Sequence, residues 1–308
     1  MRSIVTGGAG FIGSHLVDYL VSAGDDVIVI DSLVSGDINS IKGHLDANRI
    51  QLVSADLLSD GWQDHLNGAA RVYHLAADPD VRESSVSPDK QLNNTIIATH
   101  RILEAMRKAQ VPEIVFTSTS TVYGEATVIP TPESYTPMEP VSVYGASKLA
   151  CEALISAYCH SFSMNSWVFR FANIIGARSG HGVITDFIRK LKANPQELEI
   201  LGDGKQTKSY LEVGACIRAI MYVVSHTHDT VNTFNIGSED WISVTDIADI
   251  LTREMNLTPK FTYTGGSRGW IGDVPKMQLD ISRLKSLGFI PELSSRESVR
   301  LAVQAALE

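Results

Sequence analysis

The chain has 308 residues, 44% hydrophobic and 20% charged, which is apolar material enough for a large buried core divided into two lobes. A formal net charge of -9 leaves no basic footprint and argues against a nucleic-acid-binding role. Cys151, Cys159 and Cys216 form a sparse, odd set without CxxC spacing, so neither a disulfide framework nor a metal site is expected, and no apolar run is long enough to span a bilayer.

From the N-terminus, apolar strand-like runs alternate with helical patterns, as in a parallel, doubly wound α/β sheet of Rossmann type. Residues 3–6 read as the first strand; because it begins at once, no secretory leader is read and a cytoplasmic protein is expected. Residues 10–23 carry Ile12, Leu16 and Leu20 on one helical face, and Gly24 closes the helix. Strands follow at 27–30, ending at Asp31, and at 50–53 and 72–75. Residues 89–110 read as one long helix opened by Pro88, followed by a strand at 114–116, a polar loop at 124–143, a helix from Tyr144 and a strand at 167–169.

Beyond Asn173 the rhythm changes, with a strand at 198–201 and helices at 183–193, 212–225 and 243–255. The expected division is a first domain of 1–172 plus about 211–237, the latter returning to the main sheet, and a smaller mixed α/β domain of about 173–210 and 238–308. His226 and His228 have metal-like spacing but no Cys or acid cluster nearby, and read as a solvated loop.

Gly7, Gly10 and Gly13 follow a strand and open a helix, the context in which such spacing has weight. The first permits a tight turn, the second lets backbone approach a pyrophosphate, and the third allows close helix packing. The helix N-terminus offers N–H groups and partial positive charge to phosphates. Asp31, 18 residues beyond Gly13, is placed to accept hydrogen bonds from an adenosine ribose and to repel a 2′-phosphate, which favours NAD over NADP. Asp56 and Leu57 are candidates to flank adenine, and Leu75, Ala76 and Ala77 are small enough for a cofactor to lie against.

Tyr144 and Lys148 lie four apart on one helical face. An ammonium near a phenol favours the phenolate and makes tyrosine a usable base. The run of hydroxyls from Thr117 to Tyr123 leaves the fifth strand at its carboxyl end, where ligands of open α/β sheets sit, and Thr119 is placed to relay a substrate proton to Tyr144.

These motifs, with His74–Ala77, Arg170–Asn173, Gly202–Gly204 and Arg268 to Asp273, resemble the extended short-chain dehydrogenase/reductases that act on nucleotide-sugars, and within them the UDP-glucose (UDP-galactose) 4-epimerases of archaeal and bacterial type. The resemblance implies Tyr144 as the base at the sugar 4-hydroxyl, Lys148 as the group that holds the nicotinamide ribose, and Thr119 as a contact of O4. It implies an NAD site that adds Phe11, Ile12, Ser32, Ser35, Gly36, Asn93 and Thr117 to the residues above. For the UDP-sugar it implies Arg82, Thr119, Asn173, Val183, Lys208, Arg268 and Asp273, with Met277 near the sugar C2. It also implies a homodimer through a four-helix bundle of helices 89–110 and 144–160.

Ser120 and Thr121 stand where sugar 4,6-dehydratases carry Asp-Glu and glucuronate decarboxylases Ser-Glu, so the extra acid chemistry is absent. A 4-keto reductase, or an epimerase of UDP-N-acetylglucosamine or UDP-glucuronate, is the enzymatic alternative. A non-catalytic NAD-binding sensor on the same fold is the other, and it has no need of Thr119, Tyr144 and Lys148.

Overall fold

A run of short, β-branched strands builds the main sheet: β1 (Arg2–Thr6), β2 (Asp26–Asp31), β3 (Ile50–Ser54), β4 (Arg71–His74), β5 (Glu113–Thr119) and β6 (Asn165–Phe171). The computed structural model describes residues 1–81, 83–269 and 274–308. β1 pairs with β2 and β4, β2 with β3, and β4 with β5, all in parallel. The order is β11-β6-β5-β4-β1-β2-β3, where β11 (Val231–Ile236) is the returning strand that the sequence predicts. The order reverses between β1 and β4, and both strands end there in the loops that carry the glycine motif and residues 75–77.

Between strands lie α1 (Phe11–Ser22), α2 (Lys42–Asp46), α3 (Pro88–Gln91), α4 (Ala98–Ala109) and α5 (Val143–Phe162). Buried residues of α4 and α5, among them Ile102, Met106 and Ile155, join Ile4, Ile28, Val72, Ile114 and Phe116 of the strands in one core. The single helix expected at 89–110 is broken by a π-helix at Leu92–Ile97. The Thr95 carbonyl accepts from the Thr99 hydroxyl at 2.6 Å and from the Cys151 thiol of α5 at 3.5 Å, so the bulge is tied to a neighbouring helix.

The chain forms two compact units, one of Met1–Val122, Glu139–Arg170 and Ile220–Phe234, the other of Tyr123–Met138, Phe171–Ala219 and Asn235–Glu308. The second therefore takes in 123–138 and 211–219, which the sequence-based division assigns to the first domain. The 124–143 loop has its own partner there: Thr131 forms a bridge with Leu279 and donates its amide to the Gln278 carbonyl at 2.9 Å.

The second unit contains β7 (Asn173–Ile175), β8 (Glu197–Ile200), β9 (Thr207–Lys208), β10 (Tyr210–Glu212), β12 (Ile242–Ser243), β13 (Lys260–Tyr263) and β14 (Lys276–Met277), in small sheets β10-β7, β12-β9-β14 and β13-β8. Its helices include α6 (Val183–Ala193), α8 (Val244–Glu254), α9 (Ser282–Ser286) and α10 (Ser295–Leu307), while α7 (Val213–His226) precedes β11. Phe187, Leu198, Ile200, Ile247, Leu251 and Val299 form its core. Among the described residues no helix is long and apolar enough to cross a membrane.

Candidate functional site

The glycine loop is built so tightly that side chains are excluded from it. Gly7 has φ +70°, and a Cβ there would lie 2.8 Å from the Ala76 amide nitrogen; a Cβ on Gly13 would lie 2.1 Å from the Gly7 carbonyl oxygen. Gly10 caps α1 without a side chain, which leaves the first-turn amides of Phe11 and Ile12 for an anion. The residues at this cradle thus fit a dinucleotide pyrophosphate.

Asp31 ends β2 almost fully buried, and its carboxylate accepts from the amides of Ala9 at 2.9 Å and Leu33 at 2.8 Å. It therefore braces the glycine loop as well as presenting lone pairs, a role the sequence alone does not reveal. Gly36 packs beside it, since a Cβ there would lie 2.9 Å from the Asp31 carboxylate, and Ser32 and Ser35 are exposed on the same loop. Asp56 is exposed and accepts from the Leu58 amide at 2.8 Å, whereas Leu57 packs into the core. Leu75, Ala76 and Ala77 are half-buried after β4, and Asn93 is exposed on the π-helix.

His74 does more than fill space. The Thr99 hydroxyl donates to the Thr95 carbonyl, so towards His74 Nε2, 3.0 Å away, it accepts. The ring proton is then on Nε2, and Nδ1 accepts from the Thr6 hydroxyl at 2.7 Å, which itself accepts from the Ala76 amide at 3.3 Å. Burial, followed by the nearby Lys148 charge, pushes the imidazole down to about 3, so it stays neutral.

At the carboxyl end of β5, three consecutive residues meet three successive turns of α5. Thr119 stands beside Tyr144, its hydroxyl favouring the ionised form of the phenol. Lys148 Nζ donates to the Thr117 carbonyl at 2.9 Å and lies 4.8 Å from the Phe116 ring. The Ser118 hydroxyl donates to Glu152, whose carboxylate also takes Arg170 Nε at 3.1 and 3.2 Å and Nη2 at 2.7 Å. The Thr119 hydroxyl further accepts from the Thr121 amide at 3.2 Å.

Burial pushes Tyr144 up to about 12, opposed by the Thr119 hydroxyl and reinforced by the Asp78 charge. That direction is opposite to the one the Tyr–Lys spacing predicts. The half-buried phenol loses hydration that a phenolate needs. Burial pushes Lys148 down to about 8, opposed by Cys151 and Glu152.

In the second unit, Asn173 on β7 donates its side-chain amide to the Ser209 carbonyl at 3.2 Å, and Val183 opens α6. Lys208 on β9 lies opposite Ile242 and Met277, the latter buried in the sheet. Arg268 pairs with Glu125 at 2.5 Å. Arg82 and Asp273 lie outside the described residues. Among the described residues no His, Cys, Asp and Glu group is arranged to hold a metal.

Sequence reading overlooked Ser118 and Glu152. The signal was available for Glu152, which extends the Tyr144, Lys148 stripe by one more turn.

Comparison with known proteins places the chain among nucleotide-sugar epimerases by sequence and fold. A relative from Methanocaldococcus jannaschii that carries the provisional name UDP-glucose 4-epimerase is 34% identical over 97% of this chain and 96% of its own length. A crystal structure of a UDP-galactose 4-epimerase superposes with TM-score 0.90 at 38% identity, covering 100% of this chain and 99% of the other. The UDP-glucose 4-epimerase of Thermotoga maritima, solved with UDP-glucose, superposes with TM-score 0.90 at 30% identity over 100% of both chains. Residues 3–237 match the NAD dependent epimerase/dehydratase family, and the chain belongs to that family.

Proposed function

We propose that the protein is an NAD-dependent epimerase that inverts C4 of a UDP-hexose, interconverting UDP-glucose and UDP-galactose through a transient 4-keto sugar. The observation that carries this reading is the Thr119–Tyr144 hydroxyl pair one helical turn from the buried Lys148 ammonium, at the end of β5. Tyr144 takes the proton of the 4-hydroxyl and returns it after the sugar has turned; Thr119 orients that hydroxyl. NAD, when bound, supplies the hydride acceptor and donor for C4 and a positive charge beside the phenol. The amides of Phe11 and Ile12 hold its pyrophosphate, Asp31 its adenosine ribose, and Lys148 its nicotinamide ribose.

Asn173, Lys208 and Arg268 are proposed to anchor the UDP diphosphate, whose binding energy holds the nucleotide while the hexose rotates. The domain assignment, a cytoplasmic location and a homodimer through α4 and α5 belong to the same proposal. The exposed Leu92, Ile97 and Phe162 on and beside these helices support the dimer.

The test is incubation of purified protein with UDP-glucose or UDP-galactose, without added NAD. Conversion at C4 that Tyr144→Phe abolishes while NAD remains bound supports the reading. Inertness until NADPH is supplied would favour a one-way reductase instead.

A further inference from the structure

We infer that Glu152, clamped by Arg170 and Ser118, is a positioning residue of the reaction centre that fixes the register of α5 against β5 and with it the place of Lys148. The inference rests on the epimerase reading above.

Tyr144, Lys148 and Glu152 form one stripe along α5. Thr119, Thr117 and Ser118 of β5 meet them in that order. Two of these contacts are a neutral hydroxyl pair and an ammonium on a carbonyl. The third is charge-assisted at both ends, since the Arg170 fork from β6 engages the carboxylate that Ser118 also reaches. Glu152 and Arg170 are both more than nine-tenths buried, so their geometry is not averaged by solvent. A buried ion pair of this kind adds little net stability over apolar residues of the same shape, and its better attested use is to specify one arrangement. Here the arrangement it specifies is the pairing of residues 117–119 with the stripe.

The electrostatic part follows from what surrounds Lys148. His74 faces it from β4 and is neutral; Tyr144 and Cys151 share its helix, the thiol pushed up by burial and therefore neutral; Arg170 stands beyond Glu152 on β6; and Asp78 acts on Tyr144. Against the effect of burial, Cys151 and Glu152 of its own helix raise Lys148, and Glu152 is the carboxylate of the two. Without that carboxylate the ammonium would lose its proton at lower pH and with it the charge that the nicotinamide ribose and phenol need.

The test is Glu152→Gln, which keeps shape and one acceptor oxygen but removes the charge. Lys148 is titrated by NMR of isotope-labelled lysine, its signal assigned by its loss in Lys148→Arg, and kcat and KM for UDP-glucose are measured alongside bound NAD. The expected result is a Lys148 midpoint at lower pH and a kcat reduced roughly 10- to 100-fold with KM and NAD content unchanged. A midpoint or a kcat equal to wild type overturns the inference. Should Glu152→Gln fail to fold, Ser118→Ala decides: a several-fold lower kcat at unchanged KM is expected, and an unchanged kcat overturns it. The titration needs no turnover, so a wild-type protein inert toward UDP-sugars would remove the proposed activity while the midpoint still judged Glu152.

Discussion

Lys148 donates to the carbonyl of Thr117 at 2.9 Å, which fixes the ammonium to β5 one helical turn from Tyr144. Because burial brings Lys148 to about 8, kcat is expected to fall as pH rises through that value. Arginine stays charged, so Lys148→Arg should carry the alkaline limb upward. A pH–rate profile of that variant checks the assignment; an unmoved limb would give it to another group.

The same lysine works against folding. An unfolded chain holds the Lys148 proton up to its ordinary 10.5, the folded one only to about 8. Between those values the unfolded state binds more protons, so stability rises with pH. Denaturant midpoints of wild type and Lys148→Met should therefore converge from pH 7.5 to pH 10 as the buried charge is lost, on the order of that window.

His74 sets a dependence of the same sign in acid. Its unfolded value is 6.5 and its folded value about 3, so unfolding takes up a proton throughout that window. Stability from the neutral ring is complete above 6.5 and is lost as pH falls, at about 1.4 kcal/mol per pH unit. His74→Gln should be less stable at neutral pH and show a shallower acid decline in urea midpoints.

At the glycine loop the prediction is steric. Gly13→Ala puts a carbon 2.1 Å from the Gly7 oxygen, an overlap expected to cost at least about 1–3 kcal/mol and to strip NAD from the purified protein. Gly43→Ala on α2, where a Cβ meets nothing within 4 Å, should leave NAD content intact and raise Tm slightly.

Arg268 is paired with Glu125, so the proposed diphosphate contact must compete with a carboxylate. Arg268→Ala should raise KM for the UDP-sugar on the order of tenfold, and Glu125→Gln should lower it. If neither substitution moves KM, Arg268 has no part in binding.

The first half of the fold was legible because its inner strands are buried on both faces and read as unbroken apolar runs, as in residues 27–30. α10 was hard to read because Val299, Ala302 and Val303 are spaced among Arg296, Glu297 and Arg300, although the capping box at Ser294 and Glu297 was a signal of its start. The π-helix was invisible in residues 92–97 because Cys151, over fifty positions away, helps to hold it. The pair Tyr144 and Lys148 could be found by spacing, yet the direction of the Tyr144 shift depends on enclosure, which no local pattern encodes. Glu152 lay in plain view on the stripe; its partner Arg170 belongs to another strand.

The matching of residues 117–119 to three turns of α5 also limits how this segment can change length. One inserted residue between Tyr144 and Glu152 would rotate everything after it by about 100°, carrying Lys148 or Glu152 off the shared stripe. Point substitutions on this helix leave that register in place, but deletions and insertions within those two turns cannot be absorbed locally. Length variation among functional descendants of this chain is therefore confined to the loops on either side of the helix.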